Sequence, residues 1–227
     1  MNLLFVAAFD MEFTGIVSRL RKVETVKIGI RWARAGTLGE HTALLTANGA
    51  GWRRAEAATQ AGWSYLRPDA VISTGFCGAL TANLGIADIV CGTTVNGHPA
   101  LSVTGATPCL EGGVRSIDHI ARTAAEKAQL ATTGECAVEM EAAAVAQQAA
   151  THSTAFYCVR SVTDLANENL ENDFNSALRP DGHFATIQVL TGALRQPAAR
   201  LPELLRLRSR CAQAAVRLGD FFADCRF

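Results

Sequence analysis

Three short runs with almost no polar interruption, Leu3–Ala8, Ala70–Thr74 and Ala155–Val162, constrain the fold of this chain more than any other feature. A half-exposed strand alternates apolar and polar residues; a run without alternation is buried on both faces, as strands are between two helix layers. Helical spacing fills the gaps. Phe13, Ile16, Val17 and Leu20 share one face of Asp10–Leu20, an Ala-rich helix is expected over 52–66, and another over Met140–Ala150. Further strands are expected at Val26–Ala33 and His41–Ala47, joined by a turn at Gly36-Thr-Leu-Gly39, and at 88–94 and 113–117. Two helices end the chain, about 184–194 and 202–224. No repeat, low-complexity tract or Pro/Ser-rich linker marks a boundary. The pattern predicts an α/β fold: a single domain over 1–227, with a mixed, partly parallel β-sheet flanked by helices on both sides as a three-layer sandwich. In such folds a ligand lies beyond the carboxyl ends of the strands.

Charge and cysteine usage narrow the function. Twenty-one basic residues balance twenty-one acidic ones, so no global field draws the protein to nucleic acid, and any anion-binding surface has to be local. The seven cysteines contain no CxxC pair and no Cys/His cluster, which argues against a metal site. Several sit in apolar runs as small core residues, pointing to a reducing, cytoplasmic setting. The apolar start is short, lacks a basic leader and meets Asp10 and Glu12, so it reads as a strand; no stretch is long enough to span a bilayer. Arg195, Arg200, Arg206, Arg208, Arg210 and Arg217 give the tail a basic face. That face is either a solvated helix surface or a site of peripheral membrane contact.

Polar groups follow the apolar runs at three places: Glu12, the segment Gly75-Phe-Cys-Gly78, and Asp164; Glu141 adds a fourth at an expected helix start. Each has a plain structural reading. Acids favour helix N-termini, Asp164 caps well, and glycines make turns. His119 reads as structural or exposed, and Cys77, with no histidine partner in the sequence, as packing.

Order and local sequence tilt the balance. The opening Leu3–Phe13, then Thr74-Gly-Phe-Cys-Gly-Ala-Leu80, Asp88-Ile-Val90, Val138-Glu-Met-Glu-Ala-Ala-Ala144 and Val159-Arg-Ser-Val-Thr-Asp164 occur in the order found in the purine and uridine phosphorylase superfamily. The chain resembles especially its nucleosidase branch, which hydrolyses methylthioadenosine and adenosylhomocysteine. Ser116-Ile-Asp118, Glu126-Lys127, Asp173-Phe-Asn175 and the Arg/Leu-rich tail are similar to the hopanoid-associated enzymes of that superfamily. That similarity implies adenosylhopane as substrate, with adenine and ribosylhopane as products.

The resemblance implies roles. Asp164 protonates the departing base, Glu12 activates water, and Glu141 accepts hydrogen bonds from the ribose hydroxyls while Met140 packs on the sugar. Ala8, Phe76, Cys77, Gly78, Ile120 and Arg160 complete the binding set, Ile120 standing where the family stacks an aromatic ring on adenine. No metal or organic cofactor is needed, and the family's dimers imply a homodimer. Phosphorylases of the superfamily hold phosphate with an arginine before the glycine segment and a hydroxyl within it; Ser73 and Phe76 stand there in this chain. Glu12 would also repel phosphate, which favours water. Between Val90 and Gly113 the chain is shorter than its family counterpart by about the length of a helix, opening the 5′ side to a bulky apolar group. The alternatives are a phosphorylase on the same substrates, a methylthioadenosine/adenosylhomocysteine nucleosidase, and a non-catalytic nucleoside-binding protein.

Overall fold

The computed structural model describes residues 1–227. Its strands are β1 (Asn2–Ala7), β2 (Arg21–Thr25), β3 (Trp32–Leu38), β4 (His41–Ala47), β5 (Ala70–Ala79), β6 (Ile89–Val95), β7 (His98–Pro99), β8 (Leu110–Ser116), β9 (Glu135–Glu139) and β10 (Ala155–Asp164). The helices are α1 (Thr14–Val17), α2 (Trp52–Leu66), α3 (Ala124–Leu130), α4 (Ala142–Thr151), α5 (Phe174–Ala177), α6 (Thr186–Leu194) and α7 (Pro197–Ala223). All ten strands belong to one mixed sheet. Parallel pairs β4–β1–β5–β10 form its centre, and β2–β3–β4 extend it antiparallel to an exposed edge.

The expected two-sided burial is met residue by residue in β1. Leu4 and Val6 point into an apolar layer shared with α2 and α4, while Leu3, Phe5 and Ala7 point into a second layer with α1 and α7. On α2 the inward positions are Ala55, Ala58, Thr59 and Gly62, one helical stripe of small residues. Across the sheet, α1 and α7 touch backbone to backbone: a Cβ on Gly15 or Gly219 would overlap the partner helix's main chain.

The structure departs from the simple sandwich on one side. β5 pairs with β9, β9 with β8, β8 with β6, β6 with β10, and β10 returns to β5. These five strands close on themselves, so the sheet curls into a small barrel that leaves no free edge there.

Several expected boundaries move. The helix expected over Asp10–Leu20 is a 3₁₀ turn, Asp10–Phe13, followed by the single turn of α1. The strand expected at Val26–Ala33 is replaced by β2 and β3, whose pairing brackets 26–31, and the turn falls at Gly39-Glu40 instead of Gly36–Gly39. Gly75–Gly78 lies inside β5 and is not a loop beyond it. Glycines in a strand mark close approach of another group, and here those groups are the carboxylates of Glu12 and Asp164. Val138-Glu139 ends β9, and α4 starts at Ala142, so Met140 and Glu141 sit at the strand-to-helix junction.

Candidate active site

Glu12 is positioned by the turn that follows β1. Its carboxylate folds back so that Oε2 accepts from the Phe9 N–H at 2.7 Å, while Oε1 accepts from the Phe76 N–H of β5 at 2.8 Å. Gly75, at φ +128°, is the residue that permits this approach, because a Cβ there would overlap Glu12 Oε1. Burial pushes the Glu12 carboxyl above the usual carboxylate range, opposed by the Phe76 and Phe9 N–H groups and by the charge of Arg160.

A second group forms around Arg160, which is fully buried. Its Nη1 donates to the Thr74 carbonyl at 2.7 Å, and its Nη2 to Ser73 Oγ at 2.6 Å and Glu139 Oε2 at 2.5 Å. The same Glu139 oxygen accepts from the N–H groups of Glu141 and Ala142, both at 2.8 Å, capping α4. Glu141 is thereby fixed at the helix entrance, and its Oε1 accepts from the Gly51 N–H at 2.7 Å. Burial, reinforced by the charge of Glu139, pushes the Glu141 carboxyl up to about 8.

Asp164 ends β10. Lys127 of α3, with no exposed surface, donates through Nζ to Asp164 Oδ2 at 2.5 Å and to the Leu165 carbonyl at 2.8 Å. Thr163 Oγ1 donates to Asp164 Oδ1 at 3.2 Å. Burial raises the Asp164 carboxyl above the usual carboxylate range, while the Lys127 ammonium pulls it back down. Gly78 lies beneath: a Cβ there would sit 2.8 Å from Asp164 Oδ2.

These groups meet in one cavity of about 490 Å³. Glu12, Glu141 and Asp164 line it, together with Ala8, Phe76, Cys77, Gly78, Ile120 and Met140. Arg160 is the correction: it lies behind the wall with its donors spent on Glu139, Ser73 and Thr74, so it supports the cavity without facing a ligand. His119 lines the rim, bridging Asp118 at 2.7 Å and Glu126 at 2.6 Å, and these carboxylates raise its pKa. Cys77 is buried and its thiol is pushed well up by burial, consistent with packing.

The sequence reading missed two parts of the cavity. Lys127 entered it only as part of a Glu-Lys pair; the available signal was a lysine in a short helix beside Ala124, Ala125 and Ala128. The other part is the roof, where Phe174, Phe184, Val189, Leu204, Leu207 and Cys211 come from α5, α6, α7 and the segment between α5 and α6. No residue of the 90–113 segment lines the cavity, which these C-terminal elements wall instead.

The arrangement offers three carboxyl groups with raised affinity for protons around a largely apolar space. No group of three or more His, Cys, Asp or Glu side chains is placed to hold a metal ion.

The chain is similar to known proteins in sequence and in fold. The family model described as the phosphorylase superfamily matches residues 3–108 and 96–183. The 5′-methylthioadenosine/S-adenosylhomocysteine nucleosidase of Shewanella pealeana is 26% identical over 227 aligned positions, covering 84% of this chain and 97% of that protein. The Neisseria meningitidis enzyme of the same name, solved with methylthio-immucillin-A, superposes with a TM-score of 0.67 at 22% identity, covering 96% of this chain and 97% of the other. A futalosine hydrolase mutant of Helicobacter pylori superposes with a TM-score of 0.68 at 15% identity, with 96% of both chains covered. The chain belongs to the phosphorylase superfamily.

Proposed function

We propose that the protein hydrolyses the N-glycosidic bond of a 5′-substituted adenosine, releasing adenine, and that the 5′ substituent is large and apolar, as in adenosylhopane. The observation that carries the reading is that Glu12, Glu141 and Asp164, from three distant segments, line one cavity whose roof is apolar.

Adenine leaves readily only if protonated. Asp164 is the acid for N7: burial favours its protonated form, and Lys127 sits on the opposite oxygen from Thr163, fixing the carboxyl's orientation. As the bond breaks, the ribose acquires oxocarbenium character. Glu141, held by Gly51 N–H, accepts hydrogen bonds from the ribose hydroxyls, while Met140 packs on the sugar. Glu12 takes the proton of the attacking water from the opposite face. Its two backbone hydrogen bonds hold it in place without neutralising it, an arrangement like the paired carboxylates of glycoside hydrolysis.

Water is favoured over phosphate by charge. Phosphate needs a cation or several free donors, yet the guanidinium nearest the glycine segment, Arg160, is consumed by Glu139 and the strand backbone. Glu12, acting as the base in its ionised form, would repel a phosphate placed beside it. The roof favours a bulky 5′ group: Phe174, Phe184, Val189, Leu204 and Leu207 offer it apolar area, with Thr186 and Arg208 the polar side chains among them.

The test is release of free adenine from methylthioadenosine, adenosine and adenosylhopane, each with and without phosphate. Phosphate-independent release, fastest with the lipid-tailed substrate, is expected. A requirement for phosphate with ribose 1-phosphate formed would make the protein a phosphorylase, equal or better turnover of methylthioadenosine would remove the lipid tail, and binding without release would remove catalysis.

A further inference from the structure

The helices that roof the cavity also carry an unusual outer surface. On α6, Ile187 is 76% exposed and Leu194 65%, with Leu190 on the same stripe; on α7, Leu205 is 69% exposed, one turn beyond Leu201, which is also exposed. Helical spacing sets both stripes beside the cavity-lining positions: Ile187 and Leu190 flank Val189, and Leu201 and Leu205 flank Leu204 and Arg208. Apolar surface of this kind, clustered at the mouth of an apolar cavity, signals a partner rather than scattered surface leucines.

The charges of the hairpin are of one sign. Between Phe184 and Gly219 the chain holds six arginines and one acid, Glu203. Glu203 is buried, and its oxygens accept from the N–H groups of Glu171 and Asn172 at 2.8 Å. Arg210 is paired with Glu168. Arg195, Arg206 and Arg208 are exposed and form no ion pair. A second copy of this chain docked by the same face would set one cationic rim against another, with no exposed carboxylate of the hairpin to receive it.

We propose that the α6–α7 hairpin docks the protein on an anionic lipid surface, its leucine and isoleucine side chains entering the acyl boundary and its free arginines meeting the headgroups. Neither helix crosses a membrane: no helix is long and apolar enough to do so. Shallow insertion of an apolar stripe together with basic side chains is the two-part attraction that gives reversible surface binding. The site's mouth then faces the layer in which a lipid-tailed nucleoside would reside, which is the one point at which the inference rests on the substrate reading above.

The test is co-sedimentation of the full chain with vesicles of phosphatidylcholine alone and of phosphatidylcholine with phosphatidylglycerol, with adenine release from methylthioadenosine read in the same samples. Binding only to the anionic vesicles, weakened by salt, is expected. Arg195→Gln and Arg206→Gln together lower vesicle affinity about tenfold or more, since each arginine near such a surface contributes roughly a fivefold factor. Ile187→Ser with Leu205→Ser abolishes retention, while both double variants keep turnover of the soluble substrate because none of the four side chains lines the cavity. No binding to anionic vesicles by a chain that releases adenine overturns the proposal, as does binding that neither variant weakens. Self-association that Ile187→Ser with Leu205→Ser dissolves also overturns it, in favour of a second copy. Vesicle binding without adenine release leaves the docking intact and removes the catalytic reading instead.

Discussion

The cavity has a floor and a roof built on opposite principles. The floor is strand ends and strand-to-helix junctions. Glu12, Glu141 and Asp164 are each held by backbone N–H groups or a buried cation, over a sheet whose curled side has no free edge. The roof is a helical hairpin whose contribution is apolar side chains, with one buried acid, Glu203, tying it down to Glu171 and Asn172. Electrostatic groups need fixed geometry to act on a developing charge, so they sit where the backbone is most constrained. Recognition of an apolar tail needs only area and shape, which a hairpin supplies without such precision. The difference assigns the reaction to the floor and substrate choice to the roof.

The sharpest way to break that division is to remove the acid. Asp164→Asn lowers kcat by about 10²- to 10⁴-fold, the usual worth of a positioned general acid, for small and lipid-tailed substrates alike, as measured by adenine release. A smaller or substrate-dependent loss would mean that the floor does not carry the chemistry. The next test is of stability. Arg160→Met strands Glu139 in the core, and loss of one member of a buried ion pair costs about 3–5 kcal/mol, whereas an exposed roof substitution such as Leu205→Ser stays within about 0.5 kcal/mol. Urea unfolding of the two variants distinguishes them. The roof then has its own test: Leu204→Ala with Leu207→Ala raises KM for a long apolar 5′ group roughly tenfold or more, since each lost apolar contact of this size is worth that much discrimination, and leaves methylthioadenosine nearly unaffected. A matching loss with methylthioadenosine would show the roof to be part of the reaction machinery.

The same division explains what could be read in the sequence. Glu12, Asp164 and the Gly75–Gly78 segment stand next to predominantly apolar runs, and buried strands impose those runs whatever the rest of the chain does. Position along such a strand therefore fixes position in space. The barrel closure was not visible, because it depends on β6, β8 and β9 pairing across long separations, and Leu110-Glu-Gly-Gly-Val-Arg-Ser116 carries little apolar pattern of its own. Gly75 was read as a turn because a glycine suits both a turn and a point where another side chain presses on a strand; only the position of Glu12 decides between them. Arg160 was placed in the binding set for a related reason. Its residue type announces an anion, and the partner turned out to be Glu139 inside the protein. The roof's periodicity identified its helices, but which side faces the cavity depends on where the hairpin folds back, which no local pattern records.

Lys127 lies against Asp164 at the end of β10, and its removal is the finest test of the floor. It is buried without exposure, and its ammonium contacts Asp164 Oδ2 and the Leu165 carbonyl. A cation at that distance favours the ionised carboxylate and so opposes the burial that raises the Asp164 pKa. Asp164 acts only when protonated, so activity must fall as pH rises through its pKa. Lys127→Met removes the cation, the pKa rises further, and the alkaline limb of the kcat/KM profile moves up by about 1 pH unit or more. The other limb, which reports ionisation of Glu12 as the base, stays where it is, because Glu12 takes its hydrogen bonds from Phe9 and Phe76 and its nearest cation is Arg160. A profile in which both limbs move together would mean that Lys127 holds the whole floor in shape, and one in which neither moves would mean that the alkaline limb belongs to a group other than Asp164.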